Sequence, residues 1–88
     1  MLSVAICEDN VPVQSQLENY IHELYNSCPV EVFSSGEELL SCLEDKDSGF
    51  SIYLMDISLP GISGIETAAS IRAQDPYALI LYITDYRE

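Results

Sequence analysis

Apolar and polar positions in this chain alternate between two rhythms, short continuous apolar runs and stretches that repeat about every 3.6 residues. Residues 2–7, "LSVAIC", are apolar enough and rich enough in branched side chains to predict a strand, ended by "EDN". Asn10 suits a helix cap and Pro12 a first helical turn. Val13, Leu17, Tyr20, Ile21, Leu24 and Tyr25 then recur at helical spacing, which predicts one apolar stripe up to about Ser27. His22 falls off that stripe, between Glu18 and Glu23, and reads as a solvated surface histidine. "PVEVFSS" (29–35) predicts a second strand, and Ser35 with Glu38 has the spacing of a capping box. The helix it opens carries Leu39, Leu40 and Leu43 and stops in the breaker-rich "EDKDSG". "FSIYLMD" (50–56) has little polar content and predicts a strand buried on both faces. A loop, "ISLPGIS", leads into a helix over 64–74, "DP" breaks the pattern, and "YALILYIT" (77–84) predicts a fourth strand.

Strands alternating with helices in the order β-α-β-α-β-α-β predict an α/β fold, a parallel sheet with right-handed crossovers. At 88 residues the chain has room for one small domain, and a hydrophobic fraction of 48% is enough for a core. No apolar run approaches the ~20 residues that span a bilayer. The N-terminus lacks the basic region of a signal peptide, so a cytoplasmic protein is expected. Fifteen acidic residues against three basic ones give a net charge of −12, which argues against direct binding to nucleic acid or an anionic membrane. Cys7, Cys28 and Cys42 are odd in number and without a C-x-x-C pair, so they read as free thiols rather than as zinc ligands or disulfides.

The chemistry stands at the strand ends. In an open parallel sheet, ligands bind outside the carboxyl ends of the strands. There the first predicted strand ends in Glu8 and Asp9, the third in Asp56 and the fourth in Thr84, while the second ends in serines. Converging carboxylates repel one another unless a cation intervenes. Mg²⁺ answers that need, taking oxygen ligands while keeping positions for water and phosphate. Such a site could set an anionic phosphoryl donor against a carboxylate nucleophile, for which Asp56 is the best candidate, with the Thr84 hydroxyl hydrogen-bonding the transferred group. Taken singly, each residue has an ordinary explanation: an aspartate after a strand often only caps a helix or forms a turn. Together, at matched strand ends, they favour a site.

"CEDN" after the first strand, "MDISLPGISGIE" after the third and "YIT" closing the fourth resemble the receiver domain of bacterial two-component response regulators. The resemblance implies a flavodoxin-like, doubly wound parallel sheet of order 2-1-3-4-5. It makes Asp56 the phosphoacceptor, taking its phosphoryl group from a phosphohistidine on a sensor histidine kinase. Glu8 and Asp9 match the family's acidic pair, which with Asp56 and the backbone carbonyl of Ser58 would hold Mg²⁺. Thr84 matches the switch hydroxyl, and Pro60, Gly61 and Gly64 would shape the loop after Asp56. The wording is also similar to receivers joined to LytTR-type DNA-binding domains. Haloacid-dehalogenase-like phosphohydrolases carry a second aspartate two residues after the nucleophile, and here that position is Ser58, so an acceptor rather than an enzyme is expected.

The family pattern continues past the fourth strand with a fourth helix, a fifth strand and a fifth helix. Residues 1–88 are therefore expected to be a partial receiver domain, without the family's fifth-strand lysine. Lys46 belongs to a loop at the opposite edge, and Arg87 reads as a solvated residue. "LILYI" would then be an exposed apolar edge strand, so self-association through it is expected. DNA would be reached only through an output domain outside this chain. The alternative function is an association module that keeps the acidic pocket but cannot sustain phosphorylation.

Overall fold

The computed structural model describes residues 2–45 and 49–83. The elements are β1 (Val4–Cys7), α1 (Val11–Leu24), β2 (Val30–Phe33), α2 (Gly36–Cys42), β3 (Ile52–Asp56), α3 (Gly64–Gln74) and β4 (Leu79–Ile83). All pairings are parallel, in the order β2-β1-β3-β4. That is the predicted alternation and, through the fourth strand, the predicted flavodoxin-like order. The strand order switches between β1 and β3, which makes their carboxyl ends the place where a ligand crevice opens.

Side chains alternate across the sheet with the period of two that a strand imposes. Ala5, Cys7, Phe33, Tyr53 and Met55 face Leu39 of α2 and Ile71 of α3 in the tighter core. Val4 and Ile6, with Val30, Val32, Ile52 and Leu54, form the other layer, packed against Leu17 and Ile21 of α1. Two helices cover the first face and one covers the second. Ile52 and Leu54 are consequently half-buried, so β3 is less completely enclosed than its apolar composition predicts. In register with them on β4, Leu79 and Leu81 stay exposed.

The α1 stripe is narrower than the predicted one. The i, i+4 row Val13–Leu17–Ile21 is partly buried, whereas Tyr20, Leu24 and Tyr25 are exposed, because α1 packs mainly over β1 and β2. His22 is half-buried in its last turn. The strands are also shorter than the apolar runs that announce them. Phe50 precedes β3 rather than joining it, and stacks edge-on against Phe33 and Tyr53 at ring-centroid distances of 6.0 and 5.7 Å.

Side-chain caps set the helix starts. Asn10 Oδ1 accepts from the Val13 N–H, and Ser35 Oγ accepts from the Glu38 N–H. The expected Ser35–Glu38 box is only half formed, since the Glu38 carboxylate accepts from Ser34 N–H rather than from Ser35. A complete box instead opens α3, where Ser63 Oγ accepts from Glu66 N–H and Glu66 Oε1 accepts from Ser63 N–H. The cysteines are free thiols, Cys7 and Cys28 buried and Cys42 half-buried. Among the described residues, no helix is long and apolar enough to cross a membrane.

Candidate acidic site at the carboxyl ends of the strands

β1 and β3 are neighbours in register, with Cys7 opposite Met55, so the next residues, Glu8 and Asp56, emerge side by side. Asp9 follows directly. One carboxylate oxygen from each of Glu8, Asp9 and Asp56 can be chosen so that all lie within 4.8 Å of one another. Glu8 and Asp56 are buried, with 5% and 8% of their surface exposed, and Asp9 is open to solvent.

The surrounding backbone holds this cluster in place. Glu8 Oε2 accepts from the Asn10 N–H at 3.0 Å, and the Glu8 carbonyl accepts from the Gln14 side-chain amide. Asp56 Oδ1 accepts from the Ser58 N–H, also at 3.0 Å. The loop beyond returns sharply. Leu59 is buried in the core, Gly61 takes φ +73°, and Gly64 N–H donates to the Ile57 carbonyl at 3.1 Å. At Gly64 the α3 backbone lies so close behind Asp56 that a Cβ would strike the Asp56 carbonyl. Pro60 is exposed on the outside of the turn.

Among the described residues, the electrostatics are those of an anionic pocket without a countercharge. Burial raises the Glu8 carboxyl to about 7; the hydrogen bond from Asn10 N–H opposes that shift, and the adjacent Asp56 charge adds to it. Beneath them the Cys7 thiol is pushed up to about 12, by burial and then by the charges of Asp56, Glu38, Glu8 and Glu37. Arg72 does not offset this field, because its guanidinium donates to the carbonyls of Pro76 and Ala78. An all-oxygen donor set, partly buried and short of positive charge, fits a hard divalent cation, which would lower the Glu8 carboxyl by favouring its ionised form.

The structure thus brings Glu8, Asp9 and Asp56 together and sets Ser58 in hydrogen-bond contact with Asp56. Thr84 lies outside the described residues, as do Lys46 and Arg87. β4 pairs Ile83 with Asp56, and Ile83 accepts from Ile57 N–H at 3.3 Å. Three further groups support the site without standing out in the sequence. Asn10 serves Glu8 as well as α1, Gln14 reaches back six residues to the Glu8 carbonyl, and Glu37 of α2 accepts from Ile62 N–H at 3.2 Å. The spacing of Asn10 and Gln14 from Glu8 is a local signal. Glu37 acts across 25 positions and leaves none.

The response regulator receiver domain family model matches residues 4–88. The transcriptional activator protein ExaE of Pseudomonas putida is 30% identical over 87 residues, covering 99% of this chain and 40% of its own length. Stress response regulator protein 1 of Debaryomyces hansenii is 29% identical over 80% of this chain and 28% of its own. The chain therefore spans well under half the length of these curated relatives. Among solved structures, response regulator TrrA of Thermotoga maritima in complex with Mg²⁺ and a beryllium fluoride superposes with a TM-score of 0.85. It shares 27% identity, over 98% of this chain and 71% of that one. TrrA in complex with the histidine kinase ThkA gives a TM-score of 0.81 at 26% identity, covering 100% of this chain and 72% of that one. With the fold, the strand order and the acidic cluster in agreement, the chain belongs to the response regulator receiver domain family.

Proposed function

We propose that this chain accepts a phosphoryl group on Asp56 from a sensor histidine kinase, as the receiver of a cytoplasmic two-component signalling protein. The observation that carries the reading is the convergence of Glu8, Asp9 and Asp56 at the ends of adjacent parallel strands. In this reading the 88 residues run through the fourth strand of a receiver domain, which their share of the solved TrrA chain, 71%, supports. A net charge of −12 leaves contact with DNA to an output domain.

Glu8, Asp9, Asp56 and the Ser58 carbonyl would hold Mg²⁺. When bound, the ion supplies charge neutralisation between the carboxylates and an incoming phosphoryl group. The chain's own residues do the rest. The Ser58 N–H fixes the Asp56 carboxyl at the mouth of the crevice. A carboxylate oxygen of Asp56 attacks phosphorus as the P–N bond to the kinase histidine breaks. The electron pair of that bond stays on the imidazole nitrogen, which takes up a proton. The Thr84 hydroxyl would hydrogen-bond a transferred oxygen. The chain is the acceptor in this step and not an enzyme acting on a further substrate.

Intact mass after incubation with Mg²⁺ and acetyl phosphate tests the proposal, with Asp56→Asn alongside. One labile, Mg²⁺-dependent phosphoryl adduct, absent from Asp56→Asn, is the expected result. A persistent adduct in that variant overturns the assignment.

One observation favours a second reading, an association module. β4 exposes Leu79, Leu81 and Tyr82 to about half their surface and carries no charge in its five residues. An edge of that kind pairs readily with another chain. Sedimentation velocity across a concentration series separates the readings, since a concentration-independent monomer removes the second.

A further inference from the structure

The loop between Asp56 and α3 is fixed at both ends by its own segment. Ser58 N–H donates to Asp56 at one end, and the Ser63–Glu66 box closes the other. Its middle, where Gly61 reverses the chain, is held from elsewhere. The Glu37 carboxylate in the first turn of α2 accepts from the Ile62 N–H at 3.2 Å. Among the described residues, no other side chain from outside the loop and α3 hydrogen-bonds to it.

The fit around that bond is close. A Cβ on Gly61 would meet the Glu37 carboxyl group. Next to Glu37, a Cβ on Gly36 would meet Thr67 Oγ1 and the Ile62 side chain, so α2 begins directly against the loop and α3. Thr67 is fully buried there and donates its hydroxyl to the Ser63 carbonyl at 2.8 Å. Start of α2, loop and start of α3 form one packed unit. Ser58 lies in that loop four residues before Ile62.

We propose that Glu37 is a positioning residue for the phosphoacceptor site: by accepting from Ile62 N–H it fixes the loop that presents Ser58 to Asp56 and to Mg²⁺. It touches neither the ion nor the phosphoryl group. This rests on the function proposed above and adds to it a contribution from α2, an element outside the strand ends. An anionic acceptor makes the stronger bond to a backbone N–H. A neutral amide oxygen at the same place still makes one.

That difference supplies the test. Mg²⁺ affinity by calorimetry and phosphoryl uptake from acetyl phosphate are measured for the wild type, Glu37→Ala and Glu37→Gln. Glu38→Ala is the control, since it removes the same charge one residue on from a side chain bonded to Ser34 N–H. Loss of one such hydrogen bond predicts a change of roughly 3- to 10-fold in both quantities for Glu37→Ala. Glu37→Gln stays within about 2-fold, because its amide oxygen restores the acceptor, and so does Glu38→Ala. Equal losses in Glu37→Ala and Glu37→Gln would assign the effect to charge and overturn the positioning role. A Glu37→Ala protein that is less stable but binds Mg²⁺ like the wild type would overturn it too. A wild type that binds no Mg²⁺ overturns the reading of the site itself, and the Glu37 role with it. A wild type that binds it, with Glu37→Ala unchanged, overturns the Glu37 role alone.

Discussion

Glu8 and Asp56 leave two hydrogen-bonded parallel strands at the same level, and both carboxyl groups are buried. The sheet itself creates this pairing, because Cys7 and Met55 are already partners and each strand advances by one residue to reach an acid. Burial, with the neighbouring Asp56 charge adding to it, lets Glu8 keep its proton up to a pH of about 7.

That proton makes stability depend on pH. The folded pKa of about 7 lies above the ordinary value of 4.5, so between those limits the native state holds a proton that the unfolded chain has lost. The stabilisation is complete below pH 4.5 and disappears as the pH rises through 7. Urea unfolding in EDTA should show stability falling between pH 5 and 8, by on the order of 2–3 kcal/mol from this group. Glu8→Gln should flatten that part of the fall. Mg²⁺ should act in the opposite sense, stabilising more as the pH rises, because binding requires the carboxylate. Equal pH slopes in wild type and Glu8→Gln would rule the effect out.

Two glycines separate close packing from open surface. A Cβ at Gly64 meets the backbone of Asp56 and Ile57, which no side-chain rotation can relieve. Gly64→Ala should cost about 1–3 kcal/mol by overpacking, and should weaken Mg²⁺ binding by displacing the segment that carries Asp56. A methyl group added at Gly49 would have nothing within 4 Å, so Gly49→Ala should change stability by no more than about 0.5 kcal/mol. Matched unfolding curves report both.

The element order was legible because short continuous apolar runs alternate cleanly with stretches of period 3.6, and the acidic cluster because β1 and β3 each lead into carboxylates. The ends of the elements were less so. Leu2, Phe50 and Tyr77 extend apolar runs without entering the sheet ladder: Leu2 and Tyr77 are exposed, and Phe50 packs on two aromatic rings. Tyr20 and Leu24 satisfy the helical period, but α1 crosses too little of the sheet to bury them. The Ser35–Glu38 spacing is that of a capping box, yet the Glu38 carboxylate selects the neighbouring Ser34 N–H, a choice made by loop geometry. The Glu37–Ile62 bond is a product of tertiary packing, which local spacing does not encode.

The thiols should react in order of exposure. Cys7 is fully buried and its ionisation is pushed up to about 12, so it contributes almost no thiolate at neutral pH. Cys28 is buried, with its Sγ–H directed at the carbonyls of Leu2 and Pro29. Cys42, half-buried, should take up iodoacetamide first in the native protein, and Cys7 should be labelled only after unfolding. Peptide mapping after timed alkylation gives the order, and early labelling of Cys7 would contradict its place in the core.

Asp56→Asn should gain stability as it loses the proposed function. In metal-free buffer the Asp56 charge repels Glu8 and helps keep it protonated, at a cost to the fold. An asparagine retains an oxygen that can accept from Ser58 N–H, so the loop keeps its anchor while the repulsion goes. The expected gain at pH 8 in EDTA is about 1–2 kcal/mol, a common size for relieving strain held at a functional site. Glu8 should then titrate nearer the ordinary carboxylate range, which a carboxyl-carbon NMR titration would follow. Mg²⁺ should stabilise the variant much less than the wild type, because one carboxylate of the cluster is gone. An Asp56→Asn protein less stable than the wild type under these conditions would mean that its carboxylate contributes more through hydrogen bonding than it costs through repulsion.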